Sequence, residues 1–287
     1  MGVETTSIAA NLEAVRERIG RAAQRTGRKP EEVTLVAVSK TFPAESIRLA
    51  YTAGVRHFGE NRVQEWEAKR LLVADLAATW HLVGHLQSNK AARAARLFHW
   101  VDSLDSLPLA QKLDRAVAEA IGGQSFSSDS NAVSSGGAEL VPSPPPRVEG
   151  APEAAARRLP VLIEVRLAPE ETKSGVTEAE LPALAEAVLA LPHLDLRGLM
   201  CIPPYFDDPE QARPYFRKLR ELRNALRQRL RASGARHSES PTLVGAKESL
   251  LPELSMGMSH DFEAAIEEGA TQVRLGTAIF GPRADPP

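Results

Sequence analysis

The sequence predicts an α/β fold closed as a single (β/α)8 barrel. Two observations carry this expectation: short apolar runs alternate with amphipathic helical stretches along the chain, and the runs number eight. Strands interleaved with helices pair in parallel. The first strand is followed by Ser39-Lys40-Thr41-Phe42-Pro43, not by the G-x-G-x-x-G that opens a doubly wound dinucleotide-binding sheet, which favours closure over an open sheet. The 287 residues also suit a barrel, whose usual size is about 250 residues.

An opening helix is expected over 8–23, where Ile8, Leu12, Val15 and Ile19 recur at helical spacing. Strands follow at 33–39, 56–59, 80–86, 100–103, 161–167, 194–202, 253–256 and 272–275. Helices fall between them at 44–53, 63–77, 90–97, 107–120, 178–190, 210–232 and 262–268. The unbroken apolar run before Lys40 suits a strand buried on both faces, and Pro43 suits the first turn of a helix. Gly54 and Gly269 stand where helix C-caps belong. The segment 122–153, rich in Ser, Gly and Pro, is too poor in large apolar residues to offset the entropy of ordering, and is expected to be a disordered insertion. It reads as a tolerated loop, with partner binding as the alternative. A second loose stretch covers 233–247.

Composition narrows the function. A hydrophobic fraction of 43%, a charged fraction of 25% and a net charge of -2 are those of an ordinary soluble protein and argue against nucleic-acid or anionic-membrane binding. No run approaches the roughly 20 apolar residues of a membrane span, and the N-terminus lacks the pattern of a secretory signal. The single cysteine, Cys201, cannot form an internal disulfide, in keeping with a cytoplasmic location. His81 and His85 flank Gly84 in a strand-like run, and no metal site is expected there.

The chemistry gathers at one end of the expected barrel. Lys40 closes the first strand, Glu60-Asn61 the second, Gln87-Ser88-Asn89-Lys90 the third, Met200 to Pro204 the sixth, Ser255 to Ser259 the seventh, and Arg274 with Gly276-Thr277 the eighth. Barrel enzymes place their sites at these C-terminal ends, and the loops after strands seven and eight commonly hold phosphate. Ser259 suits the N-cap of the helix that follows, with free backbone N–H groups facing an anion. Gly276 permits close backbone approach and the Thr277 hydroxyl can donate to a phosphate oxygen. A partly desolvated lysine amine can attack an aldehyde to form a Schiff base; a solvated lysine at a strand end is the plain alternative. Together these groups favour a phosphate-bearing aldehyde.

The runs 37–41, 58–65, 81–90, 173–175, 197–200, 255–263 and 273–281 resemble the pyridoxal phosphate homeostasis protein family over nearly the whole chain outside the insertion. The resemblance implies a barrel like the N-terminal domain of alanine racemase, without that enzyme's C-terminal β domain, and pyridoxal 5'-phosphate held as an aldimine on Lys40. It implies that Ser255, Met256, Gly276 and Thr277 hold the phosphate, that Asn61 lies near the ring and its phenolic oxygen, and that Arg274 faces the pyridine nitrogen. Glu60, Gln87 and Asn89 either touch ligand or brace the site. An arginine at that nitrogen disfavours its protonation and weakens the cofactor as an electron sink. The expected function is a non-catalytic carrier of the cofactor within the cell, supplying apo forms of other enzymes. A slow amino-acid racemase using Lys40 with Tyr205 or water is the alternative. The racemase dimer depends on the missing domain, so a monomer is expected.

Overall fold

The computed structural model describes residues 5–122, 158–168, 174–232 and 250–282. Eight parallel strands close on themselves in chain order: β1 (Thr34–Val38), β2 (His57–Glu60), β3 (Thr79–Leu82), β4 (Trp100–Leu104), β5 (Leu159–Glu164), β6 (Leu194–Met200), β7 (Glu253–Ser255) and β8 (Gln272–Leu275). The seam between β8 and β1 pairs Val36 with Arg274, so the first and last strands stand side by side.

Helices cover the outside: α1 (Thr5–Arg25), α2 (Ala44–Thr52), α3 (Val63–Lys69), α4 (Ala91–Leu97), α5 (Leu107–Gly122), α6 (Leu181–Leu189), α7 (Arg213–Ala232), α8 (Phe262–Glu267) and the short α9 (Thr277–Phe280). The main apolar core lies between strands and helices. Phe58 and Trp80 stack there with ring centroids 5.1 Å apart, and Trp66 of α3 stacks on Trp80 at 3.8 Å. A fully buried phenylalanine such as Phe58 contributes about 2 kcal/mol relative to an exposed one. α1 packs against α2, α8 and α9; Arg18 pairs with Glu263 at 2.9 Å and lies over the Phe262 ring. It thereby covers the seam that carries the site.

Alternate strand residues turn inward, as a barrel demands. A Cβ on Gly59 would touch Val36, Val38 and Val83, which converge there. Much of the remaining interior is polar. His57 Nδ1 lies 3.0 Å from His81 Nε2, and His81 Nδ1 lies 3.1 Å from Asp102 Oδ1, a chain across β2, β3 and β4. His81 and Asp102 are buried.

Several helix ends differ from expectation, chiefly because single turns of 3-10 helix precede or follow them. The helix expected to reach residue 77 stops at Lys69 and tightens over Arg70–Val73; this buries Val73 and leaves Leu71 and Leu72 exposed. The helix expected from 178 begins at Leu181; residues 178–180 form a turn closed by reciprocal hydrogen bonds between Thr177 and Glu180. Pro209–Ala212 and Ser88–Lys90 are likewise 3-10 turns ahead of α7 and α4. α9 was not anticipated. The expected insertion at 122–153 lies outside the described residues apart from Gly122, which ends α5. The loose stretch 233–247 and Lys173 lie outside them too.

Candidate functional site

The C-terminal ends of the strands enclose a cavity of about 250 Å³. Lys40, Asn61, Arg274, Gly276 and Thr277 all line it. Ser255 and Met256, expected beside them, do not. The Ser255 hydroxyl accepts from Arg274 Nη1 at 2.7 Å, and the Met256 side chain is buried while its N–H donates to the Gln272 carbonyl. At this corner the wall is formed instead by Met258, Ser259, His260 and Asp261.

Lys40 is half-buried and sits second in the tight turn that ends β1, closed by the Phe42 N–H donating to the Ser39 carbonyl at 3.1 Å. Thr41, third in the turn, has φ of 67°, a conformation in which glycine or asparagine is the usual resident. Asn61 follows β2 and lies over Gly84. A Cβ at position 84 would stand 2.4 Å from the Asn61 carbonyl oxygen and 2.6 Å from Oδ1, so this approach requires glycine.

Arg274 is buried in the barrel mouth. Besides Ser255 it donates to the Cys201 carbonyl through Nη2 at 2.8 Å, and the two bonds fix the guanidinium plane. Burial lowers its proton affinity, while Cys201, Asp102, Glu164 and Asp261 nearby pull it back up. Glu164, at the end of β5, is also buried, and desolvation raises its carboxyl to about 7 against the pull of Arg274. Burial pushes the Cys201 thiol up to about 12, which suits a packing residue rather than a redox sensor.

Ser259 does not cap the helix that follows it. That helix has Asp261 at its N-cap, and the Asp261 carboxylate accepts from the Met258 N–H at 2.6 Å. The Ser259 hydroxyl instead accepts from the N–H groups of Gly276 and Ala278, both at 3.2 Å. The loop after β7 thus reaches the start of α9, and a hydroxyl occupies the acceptor side of backbone donors that an anion can also use.

Tyr205 lines the cavity, 74% exposed, with its ring 5.4 Å from that of His260. Gln87 and Lys90 line a separate cleft of about 550 Å³ with Arg62, Glu65 and His85, and Asn89 lines neither cavity. Glu60 is fully buried beneath the Lys40 turn and bonds to Ser39 and Lys69. The sequence does not single out Lys69, beneath the Lys40 turn, or His260 and Asp261, on the cavity wall. The i, i+4 pair Glu65–Lys69 was the available signal for the first, but it looks like an ordinary pair on a helix surface. Among the described residues, no group of three or more His, Cys, Asp or Glu side chains is placed to hold a metal. No described helix is long and apolar enough to cross a membrane.

Fold and site define a parallel (β/α)8 barrel with a half-buried lysine just past its first strand and the backbone N–H groups of Gly276 and Ala278 just past its last. The chain belongs to the alanine racemase N-terminal domain family, whose model matches residues 10–284, and within it to the pyridoxal phosphate homeostasis proteins. The protein of that name from Pseudomonas aeruginosa is 40% identical over 278 residues, covering 97% of this chain and 96% of the relative. Its counterpart from Aquifex aeolicus is 39% identical over 272 residues, covering 95% and 96%. The solved structure of PipY from Synechococcus elongatus PCC7942 with PLP bound matches with a TM-score of 0.70 and 34% identity, over 96% of this chain and all of that one.

Proposed function

We propose that this chain binds pyridoxal 5'-phosphate reversibly on Lys40 and holds it for other enzymes. The observation that carries this is the meeting of Lys40, Arg274 and the Gly276–Thr277 donors around one cavity. The relatives named for pyridoxal phosphate homeostasis and the PLP-bound PipY structure support the same ligand.

The residues present fit the group. Gly276, Thr277 and Ser259 offer backbone and hydroxyl donors for its phosphate, with Met258 beside them. Ser255 and Met256 act one layer behind, Ser255 by holding Arg274. Asn61 stands on the wall for the ring and its phenolic oxygen, and Arg274 for the pyridine nitrogen. When bound, the cofactor supplies an aldehyde that condenses reversibly with a primary amine. The Ser39–Phe42 turn presents the Lys40 amine, and the fixed guanidinium, on the wall assigned to the pyridine nitrogen, would disfavour a second positive charge there and weaken the cofactor as an electron sink. Tyr205 is largely exposed against His260, in an open mouth that excludes water poorly. These features favour storage and delivery over turnover.

Borohydride reduction of the loaded protein followed by peptide mass spectrometry tests the assignment. The label is expected on Lys40, and the Lys40→Ala variant is expected to lose both the label and the yellow band. A label elsewhere sinks the reading. Racemisation of alanine or serine at ordinary enzymatic rates, about 1–10³ s⁻¹, would replace carrier by enzyme.

A further inference from the structure

The turn that presents Lys40 rests on a buried ion cluster. Lys69, the last residue of α3, is buried and lines neither cavity described above. Its Nζ lies 2.8 Å from Glu60 Oε1 and 3.2 Å from Glu65 Oε1, and it donates to the carbonyl oxygens of Ser39 at 2.9 Å and Phe42 at 3.3 Å. Three ammonium protons therefore face four acceptors. The Ser39 hydroxyl donates to the same Glu60 oxygen at 2.6 Å, and Glu65 also accepts the N–H of Thr41.

Ser39 is thus fastened by its hydroxyl and carbonyl, Thr41 by its N–H, and Phe42 by its carbonyl. A left-handed backbone at a β-branched residue persists only where the surroundings over-determine it. Here the surroundings are Glu65 and, through it, Lys69. A buried cation shared by two carboxylates and two carbonyls is a costly device for stability alone, since such a cluster can be replaced by apolar side chains at little cost. What the cluster does hold is the backbone on both sides of Lys40.

Resting on the reading of Lys40 as the tether, we infer that Lys69 is a positioning residue: by pinning the Ser39–Phe42 turn it fixes the Lys40 amine in the cavity and sets how fast that amine captures an aldehyde. In that capture a carbon–nitrogen double bond forms as the carbonyl bond breaks, and the oxygen leaves as water with both amine protons. A fixed turn presents the amine toward the incoming carbon; a loosened one makes it search, and misplacements of about 1 Å cost up to roughly a hundredfold in such reactions. Lys69 faces Glu60 from β2 and Glu65 from its own helix, while Lys40 shares its cavity with Arg274, His260 and Asp261.

The test uses the full cofactor-free chain as wild type, Lys69→Met, and the double variant Lys69→Met with Glu60→Gln. The double variant removes the cation without leaving the Glu60 charge bare, so it keeps the question open to measurement if the single variant fails to fold. Stopped-flow absorbance follows capture of pyridoxal 5'-phosphate and of phosphate-free pyridoxal, visible circular dichroism reports the asymmetry of the bound chromophore, and inorganic phosphate binding reports the β7–β8 corner. The expected result is capture slowed roughly tenfold or more for both aldehydes, with weakened visible dichroism and unchanged phosphate affinity. A folded double variant that captures both aldehydes at the wild-type rate with unchanged dichroism overturns the inference. Loss of phosphate affinity in parallel with capture also overturns it, because the effect would then be a general loosening of the barrel. Failure of the tether reading looks different: Lys40→Ala would keep its capture rate and its label.

Discussion

Two turns on the same face of the barrel bend the backbone into the left-handed region, and they do so by different means. After β7 the positive φ falls on Gly257, at 91°; after β1 it falls on Thr41, at 67°. At Gly257 the geometry is native to the residue. At Thr41 it is imposed from outside, by a carboxylate on the N–H and a lysine on the neighbouring carbonyls. The contrast matches the tasks proposed for the two corners. A phosphate site needs backbone donors in fixed places, which local sequence can specify. An amine tether needs one mobile side chain on an immobile base, and here the base is assembled from β1, β2 and α3.

The hardest blow to the glycine corner is Gly257→Ala. The new Cβ would stand 2.6 Å from the Ala265 Cβ and 2.9 Å from the Phe262 Cα. Neither atom is the end of a flexible chain. Left-handed strain and overpacking together predict a loss of about 3 kcal/mol in urea unfolding, with phosphate affinity falling too because the loop carrying Ser259 must shift. A loss below about 1 kcal/mol would mean that the corner yields, and that it is no more rigid than the threonine turn.

A middle-sized effect comes from the polar interior beneath the two turns. Burial raises the Glu164 carboxyl from 4.5 to about 7. Its neutral form is therefore the one the fold prefers, and its stabilising effect is full below about pH 4.5 and lost as the pH rises through 7. His57 runs the other way. Burial, helped by His81 and opposed by Asp102, lowers its ring to about 4, so its effect is full above about pH 6.5 and lost as the pH falls toward 4. Glu164→Gln should isolate the first slope: at pH 8 the variant is expected to be more stable than wild type by about 2 kcal/mol, with the advantage vanishing near pH 4.5. Urea midpoints across that range decide it, and parallel curves for the two proteins would return Glu164 to an ordinary carboxyl. The residue feels the charge of Arg274, so the same substitution tests whether the surroundings of the guanidinium are electrostatically strained while the Lys40 turn is backbone-strained.

The difference between the corners also explains what could be read from the sequence. The strands were legible because each is a short apolar run between helical stretches, and the gathering of Lys40, Arg274, Gly276 and Thr277 at one mouth because each stands at or near the end of such a run. Consecutive residues expose their geometry in their order. Ser259 looks like a helix cap because Asp261 and Glu263 fall in the turn after it, whereas its hydroxyl is drawn across to α9, itself too short to show a period. The phosphate role of Ser255 and Met256 comes from the family resemblance; in the barrel their side chains meet Arg274 and the core. The Lys69 cluster was illegible for a deeper reason. Its members span positions 39 to 69, and only closure of β1 against β2 brings them together. The same holds for His57, His81 and Asp102, which share no local motif and meet only across neighbouring strands.

The smallest expected effect probes the threonine turn itself. Thr41→Gly removes left-handed strain of about 1–2 kcal/mol but frees the unfolded chain by about 0.5–1 kcal/mol. The net change in stability should therefore lie between zero and a gain of about 1.5 kcal/mol. The N–H that bonds Glu65 is kept, and so are the carbonyls that bind Lys69. If the cluster holds the turn, Thr41→Gly captures pyridoxal 5'-phosphate at nearly the wild-type rate, in contrast to Lys69→Met. If the glycine variant slows capture as much as loss of Lys69 does, the stiffness of the turn resides in the threonine. The two corners would then differ only in which residue supplies local rigidity, and the buried lysine would lose its special part.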